Sequence, residues 1–380
     1  MKKNLLHLVP SFHQGGSELQ ALQLAGLLAA DGTFNVGIAC LDRGGPLTGF
    51  AERMGFAEIP DFPLTTFYDL NMGRQIRRFV RYLKEKQIDI IQSHDFYTNI
   101  FGMLAGKMAG VPVMVAAKRE TGMRSAAQLF IERRAFGFAD VIIANSGKVR
   151  NYLISSGVPA SKIEVVHNGI DLTRFQSSTK DKCTLLGELG ISEVCPTRLV
   201  TIVANLRDPV KNHGMFLRAA ALVAQKTHNV VFAAAGEGGL ADEMKSIADG
   251  LGISGQTYFL GRCDRVPDLL SVSSICVLTS NSEGFSNSIL EYMAAGKPVI
   301  ATAVGGADEA VIQDETGFLI RPGDHDQLAK HIVDLLDDRA LADSMGQKGK
   351  ARAVECFSTA TQVARSLALY DKELRRAGIL

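Results

Sequence analysis

Short runs of apolar and β-branched residues recur at 5–9, 34–40, 88–93, 113–117, 140–144 and 163–167, and helix-length amphipathic stretches separate them. Strands alternating with helices in this rhythm predict a parallel sheet with crossover connections, the first helix falling over 17–30. The polar stretch Ser177-Ser178-Thr179-Lys180-Asp181-Lys182 then breaks the pattern and reads as an exposed connection. The rhythm restarts at 199–204, 230–235, 257–260, 275–279, 298–303 and 317–320, and a last helical pattern covers 359–376. The expectation is therefore α/β: two doubly wound, Rossmann-like domains, 1–175 and 176–358, followed by a terminal segment 359–380. No repeat of fixed period is present, which excludes a solenoid. Open α/β sheets bind ligands beyond the carboxyl ends of their strands, so functional residues are sought just after strands, in a cleft where two such domains face each other.

Composition narrows the classes without choosing among them. The 380 residues are 46% hydrophobic and 21% charged, ordinary for a folded protein, and 41 Lys and Arg against 40 Asp and Glu leave no global field for gripping nucleic acid. The six cysteines, Cys40, Cys183, Cys195, Cys263, Cys276 and Cys356, show no C-x-x-C spacing and read as reduced thiols in a cytoplasmic setting. The apolar run 5–10 contains His7 and stops at Ser11, so no signal-peptide core is expected there. The longest apolar candidate, 293–312, carries Lys297, Asp308 and Glu309 and is broken by glycines, which excludes a membrane span.

The densest chemistry lies at 280–298, after a predicted strand. With a helix starting near Ser286, Ile289, Leu290, Met293 and Ala294 share one apolar arc and Glu291 falls outside it, able to face a ligand. Glu283 sits in the preceding loop with Gly284 and Phe285, so two carboxylates flank a helix N-terminus, at Ser286 and Asn287, whose amides favour a phosphate. Two hydroxyl-binding acids beside a phosphate seat suit a nucleotide sugar; solvated acids on an ordinary strand-loop-helix are the bland alternative. Arg207 and Lys211 follow the first strand of the second domain and can hold a leaving diphosphate, stabilising charge that develops as the anomeric bond breaks. Arg207 can equally be a surface arginine paired with Asp208. Gly15-Gly16 follows the first strand and lets backbone approach a diphosphate, or simply makes a tight turn; it is not the G-x-G-x-x-G of dinucleotide dehydrogenases. His94 falls at the carboxyl end of a strand, on the ligand side, or is simply a buried histidine with its hydrogen bonds satisfied. Asp324-His325-Asp326 mimics a metal-binding D-x-D pattern, but an acid there caps the next helix, and no metal site is expected.

The string running from Glu283 through Glu291 to Ala295-Gly296-Lys297-Pro298-Val299-Ile300, with Gly15-Gly16, Asn168-Gly169-Ile170-Asp171 and Gly236-Glu237-Gly238 in order before it, resembles the signature of retaining glycosyltransferases of the family 4 type, with the GT-B fold. The resemblance implies transfer of a hexose or N-acetylhexosamine from a UDP- or GDP-linked donor to an acceptor hydroxyl, with the nucleotide sugar as co-substrate, no metal or other cofactor, and domain closure excluding water. It implies that Glu283 contacts the donor sugar, Glu291 binds the ribose, His94 supports the reacting centre, and the last helix crosses back to the first domain. The family usually carries an arginine where this chain has Asn205.

On the acceptor side the basic stretch containing Arg119 and Arg124 can recognise an anionic acceptor. Glycan, lipid-linked and small-molecule acceptors all remain open. A helix over 71–84 sets Arg74, Arg77, Arg78, Arg81 and Lys84 opposite an apolar stripe of Ile76, Phe79, Val80 and Leu83. Its basic face can rest on anionic lipid at the inner face of a membrane, in keeping with polysaccharide or lipopolysaccharide assembly, or the helix can be an ordinary crossover. The rival functions are a GT-B epimerase or phosphorylase, and a non-catalytic nucleotide-sugar-binding subunit of a glycan-assembly complex.

Overall fold

A computed structural model describes residues 2–13, 15–66, 69–121, 125–176, 180–191 and 198–380. The backbone forms two units, Met1–Gly169 with Thr359–Leu380, and Ile170–Ser358.

In the first unit β1 (Lys3–Val9), β2 (Phe34–Cys40), β3 (Ile90–Ser93), β4 (Val113–Lys118), β5 (Val141–Ala144) and β6 (Ile163–Val165) form a parallel sheet in the order β2-β1-β3-β4-β5-β6. The central strands are apolar because helices cover both faces. Leu6, Leu8, Ile91 and Ala116 pack on one side with Phe79 and Phe101, and Leu5, Ile90, Val113 and Val115 on the other with Tyr370 and Leu374. Those last two belong to the terminal helix Thr359–Arg376, which closes this face. Each of these Leu, Ile, Val and Phe side chains contributes about 1.5–3 kcal/mol by leaving water. The Tyr370 hydroxyl also donates to Gln92 Oε1 at 2.5 Å.

The helix Leu70–Glu85 crosses between β2 and β3, its first turn capped by Asp69, which accepts from the Met72 amide at 2.9 Å. Ile76, Phe79 and Leu83 are buried in the core, and Arg74, Arg77, Arg78, Arg81 and Lys84 are exposed. Among the described residues no helix is long and apolar enough to cross a membrane.

The second unit repeats the scheme with β7 (Arg198–Val203), β8 (Val230–Ala235), β9 (Thr257–Gly261), β10 (Ile275–Leu278), β11 (Val299–Thr302) and β12 (Gly317–Ile320), in the order β12-β11-β10-β7-β8-β9. Tyr292, fully buried, ties the two central strands together: its hydroxyl accepts from the Val203 amide at 2.7 Å and donates to the Val277 carbonyl at 3.1 Å. Burial holds this phenol protonated. Asp324 caps the helix His325–Asp337 by accepting from the Gln327 amide at 2.9 Å. Cys40, Cys263, Cys276 and Cys356 are free thiols, whereas Cys183 is disulfide-bonded, a departure from the uniformly reduced set its spacing suggested.

Candidate functional site

Each sheet has one place where the strand order reverses, β1 beside β3 in the first unit and β7 beside β10 in the second. Loops leaving two neighbouring strands there diverge and open a crevice. Gly15, Gly16 and His94 follow the strands at the first of these places, and Arg207, Lys211, Glu283 and Glu291 follow those at the second.

In the second unit the loop after β7 and the loop after β10 are stitched together. The Asn281 amide donates to the Val210 carbonyl at 2.7 Å, and Thr279 Oγ1 donates to the carbonyls of Lys211 and Asn212 at 3.0 and 3.1 Å. This stitching sets Lys211 Nζ 2.6 Å from Glu283 Oε1, which also accepts from Ser280 Oγ at 2.6 Å. Both side chains are mostly buried, at 21% and 12% exposure, so their attraction is screened less than that of a surface pair. Buried His213 pins the same loop through Nε2 to the Ala204 carbonyl at 3.2 Å; burial, with the nearby Lys211 charge, pulls its pKa down to about 4, so it acts as a neutral donor.

Glycines let the surrounding loops close up. A Cβ at Gly236 would run into the Ala204 carbonyl, and one at Gly238 into the Leu206 backbone. Gly305, with φ of 56°, lies flat against the backbone of Glu283 and Gly284, and the Gly306 amide donates to the Gly284 carbonyl at 2.8 Å. The helix Asn287–Ala294 follows with Ser286 at its N-cap position and no side-chain cap there. Phe285 is buried against Phe357, ring centroids 5.3 Å apart, so its side chain serves the core. Glu291, one turn in, is partly buried, and desolvation pushes its carboxyl up to about 7 against a weaker pull from Arg174. Arg207 pairs across the loops with Glu237 at 2.5 Å rather than with its neighbour Asp208.

In the first unit His94 leaves β3 and meets His7 of β1. His94 Nε2 is 2.9 Å from His7 Nδ1, with the rings stacked, and Arg119 donates to His94 Nδ1 at 3.3 Å. A guanidinium only donates, so His94 Nδ1 is a lone pair, its proton sits on Nε2, and His7 Nδ1 accepts it. Both histidines are therefore neutral Nε2–H tautomers. Burial, reinforced by neighbouring positive charge, lowers both pKa values, that of His7 to about 3. Arg119 is further held by Asn168 Oδ1 at 2.9 Å, and its carbonyl accepts from Asn145 at 3.1 Å. Gly15 and Gly16 open the helix Gly16–Asp31, where the Glu18 carboxylate folds back against Gly15. Burial raises the Glu18 pKa, Asp95 adds to the rise, and its own amide, Arg119 and His13 oppose it. A diphosphate reaching Gly15-Gly16 must meet or displace that carboxylate. Arg124 lies outside the described residues.

Two family models match the chain in tandem: Glycosyltransferase Family 4 over residues 14–174 and Glycosyl transferases group 1 over residues 195–352. The chain belongs to the family 4, group 1 glycosyltransferases. Over 315 residues it is 29% identical to a D-inositol 3-phosphate glycosyltransferase of Streptomyces avermitilis, covering 76% of this chain and 66% of that one, just under two thirds of the relative's length. Over 351 residues it is 26% identical to the UDP-Gal:alpha-D-GlcNAc-diphosphoundecaprenol alpha-1,3-galactosyltransferase of Escherichia coli, covering 89% of each. Its fold matches HepE of Anabaena, solved with UDP, at TM-score 0.86 and 24% identity over 98% of this chain and 100% of that one. The same protein solved with UDP-glucose matches at TM-score 0.84 and 23% identity, over 97% and 99%. The paired parallel sheets of this glycosyltransferase are thus of the GT-B class.

Sequence reasoning on this glycosyltransferase missed His7, seen only as a polar break in an apolar run, missed Glu18 and His213, and named Asn168 only as part of a motif, without its contact to Arg119. A polar residue in a central strand that is otherwise apolar was the available signal for His7.

Proposed function

We propose that this glycosyltransferase moves a hexose or N-acetylhexosamine from a UDP-linked donor, or a GDP-linked one, to an acceptor hydroxyl with retention at the anomeric carbon. The observation that carries the reading is the Lys211–Glu283 pair at the second unit's switch point, with Glu291 on the helix that follows. In this reading Glu283 receives the donor sugar's hydroxyls, Glu291 the ribose hydroxyls, and Lys211 the diphosphate, with Arg207 as a second cation. Negative charge grows on the diphosphate as the glycosidic bond breaks, so a cation already fixed in place stabilises the transition state more than the ground state. These cations take the part a divalent metal plays elsewhere, and transfer proceeds without one. The names of the relatives, one using UDP-Gal to form an alpha linkage and one solved with UDP-glucose, support a UDP donor.

On the acceptor side Arg119, oriented by His94 and Asn168, receives an anionic group such as the phosphate of a lipid-linked or phosphorylated acceptor. The exposed cations of Leu70–Glu85 support peripheral contact with an anionic membrane. The test is release of nucleotide from UDP-glucose, UDP-galactose, UDP-N-acetylglucosamine and GDP-mannose, with EDTA present, against phosphorylated and lipid-linked acceptors, with the product anomer assigned by NMR. An inverted anomer sinks the retaining mechanism. Donor binding without turnover on any acceptor points to a non-catalytic subunit instead.

A further inference from the structure

A cavity of about 950 Å³ lies in the second unit at the end of the sheet away from the proposed donor seat. Its walls include Arg198, which opens β7, Ser274, which precedes β10, and Pro298, which precedes β11. Lys211 and Glu283 instead follow the carboxyl ends of the same strands, and a strand of four to six residues spans roughly 13–20 Å. The cavity is a separate place.

Its charge is one-sided. Lys180, Lys182, Arg198, Lys297, Arg339 and Lys350 line it, against two carboxylates, Asp337 and Asp343. Asp337 stands 3.9 Å from Arg198, Asp343 3.6 Å from Arg339 and, beside the cavity, Glu188 2.6 Å from Lys180, so six cations face three carboxylates. Lys182 and Lys297 are partly buried, and Lys297 Nζ is steered by the Ser271 carbonyl at 2.8 Å. Burial lowers both ammonium pKa values, and Lys297 and Arg339 press that of Lys182 down further. Cations gathered and partly desolvated repel one another until an anion enters. Leu185, Val272 and Leu335 add apolar surface, and the volume exceeds that of an inorganic phosphate several-fold, leaving space for an organic moiety.

We infer that this cavity is a second anion site that takes a multiply charged phosphate carried on an organic group, either a free phosphorylated molecule or the headgroup of a phospholipid. It stands independently of the donor reading, since none of its residues belongs to the donor seat. The test is calorimetric binding of pyrophosphate at physiological salt to four proteins: wild type, Lys211→Ala, Lys182→Gln with Arg339→Gln, and Arg339→Gln with Lys350→Gln. The last pair changes only exposed side chains and guards against misfolding. Co-sedimentation with vesicles of phosphatidylcholine, with and without phosphatidylglycerol, runs in parallel.

The expected result is binding that survives Lys211→Ala and weakens about tenfold or more in each double variant, because two of the cations that attract the anion are lost. Capture by the phosphatidylglycerol vesicles that falls in the double variants assigns the phosphate to lipid; pyrophosphate binding without capture assigns it to a free ligand. The inference is overturned if pyrophosphate binding disappears with Lys211→Ala and is untouched by the double variants, or if neither probe distinguishes them from wild type. Nucleotide-sugar turnover should be unchanged in both double variants, and its failure in wild type leaves the anion result standing.

Discussion

The two units solve the same topological problem with different chemistry. Each places its polar cluster where the strand order reverses, but the first locks two neutral imidazoles between a buried strand and a guanidinium, whereas the second sets cations against carboxylates on loops. His7 projects from the interior strand β1, so its partner has to be a hydrogen-bonding group that tolerates desolvation, and a neutral histidine does. Lys211 and Glu283 sit past the strand ends, ion-paired and partly exposed, where a charged ligand can reach them. One cluster is built to be rigid and the other to exchange partners.

The largest expected effect tests the exchangeable cluster. Lys211→Ala should lower turnover about 100- to 1,000-fold, the range for losing one preorganised group that stabilises developing charge. Initial rates at saturating donor decide it, and a loss of less than threefold would break the contrast. Lys211→Arg should recover part of the rate, since charge rather than shape carries the effect.

The rigid cluster is sharpened by His7. His7→Leu leaves His94 Nε2–H buried without its acceptor and should cost about 1–3 kcal/mol. His7→Asn, whose Oδ1 falls near the place of Nδ1, should restore most of that stability. If the reading of Arg119 holds, the leucine variant should raise the acceptor KM while leaving donor binding unchanged. Equal stability of the two variants in thermal unfolding would refute the tautomer assignment.

Opposite pH dependences give a subtler contrast. His7 has its folded pKa lowered from 6.5 to about 3, so the unfolded chain binds more protons between those values and the stability it contributes, full above about 6.5, is lost as pH falls toward 3. Glu291 has its folded pKa raised from 4.5 to about 7, so the folded chain binds more protons and stability falls as pH rises from 4.5 to 7. His213 in the same unit opposes that trend, its pKa lowered to about 4. The Tm difference between wild type and Glu291→Gln should therefore change with pH across 4.5 to 7 and level off above. A difference independent of pH would place Glu291 in water.

The smallest effect belongs to Arg207. Its pair with Glu237 is about half exposed, and Arg207→Ala should change stability by about 0–1 kcal/mol. Any rise in donor KM beyond stability would mark it as a second diphosphate cation.

The strand pattern was legible because parallel strands covered on both faces must be apolar, and the runs at 230–235 and 317–320 coincide with β8 and β12. The loop chemistry after β10 was legible because Glu283 and Glu291 lie in one short stretch of chain, where spacing and helical phase set what can face what. The 87-residue separation of His7 from His94 erased such clues from the first unit's cluster, and although Lys211 was legible from its place after a strand, the 72 residues between it and Glu283 hid their pairing. Their meeting depends on which strands become neighbours, and strand order is settled by packing of helices on the whole sheet. Sequence by itself thus determined where the strands, the helices and the glutamate-bearing loop would form, since those follow from local periodicity and turn chemistry. Only the tertiary structure decided that His94 would be tied to a second histidine, that Glu18 would fold over Gly15, and that six cations would share one cavity, because desolvation and proximity exist only once distant segments are packed together.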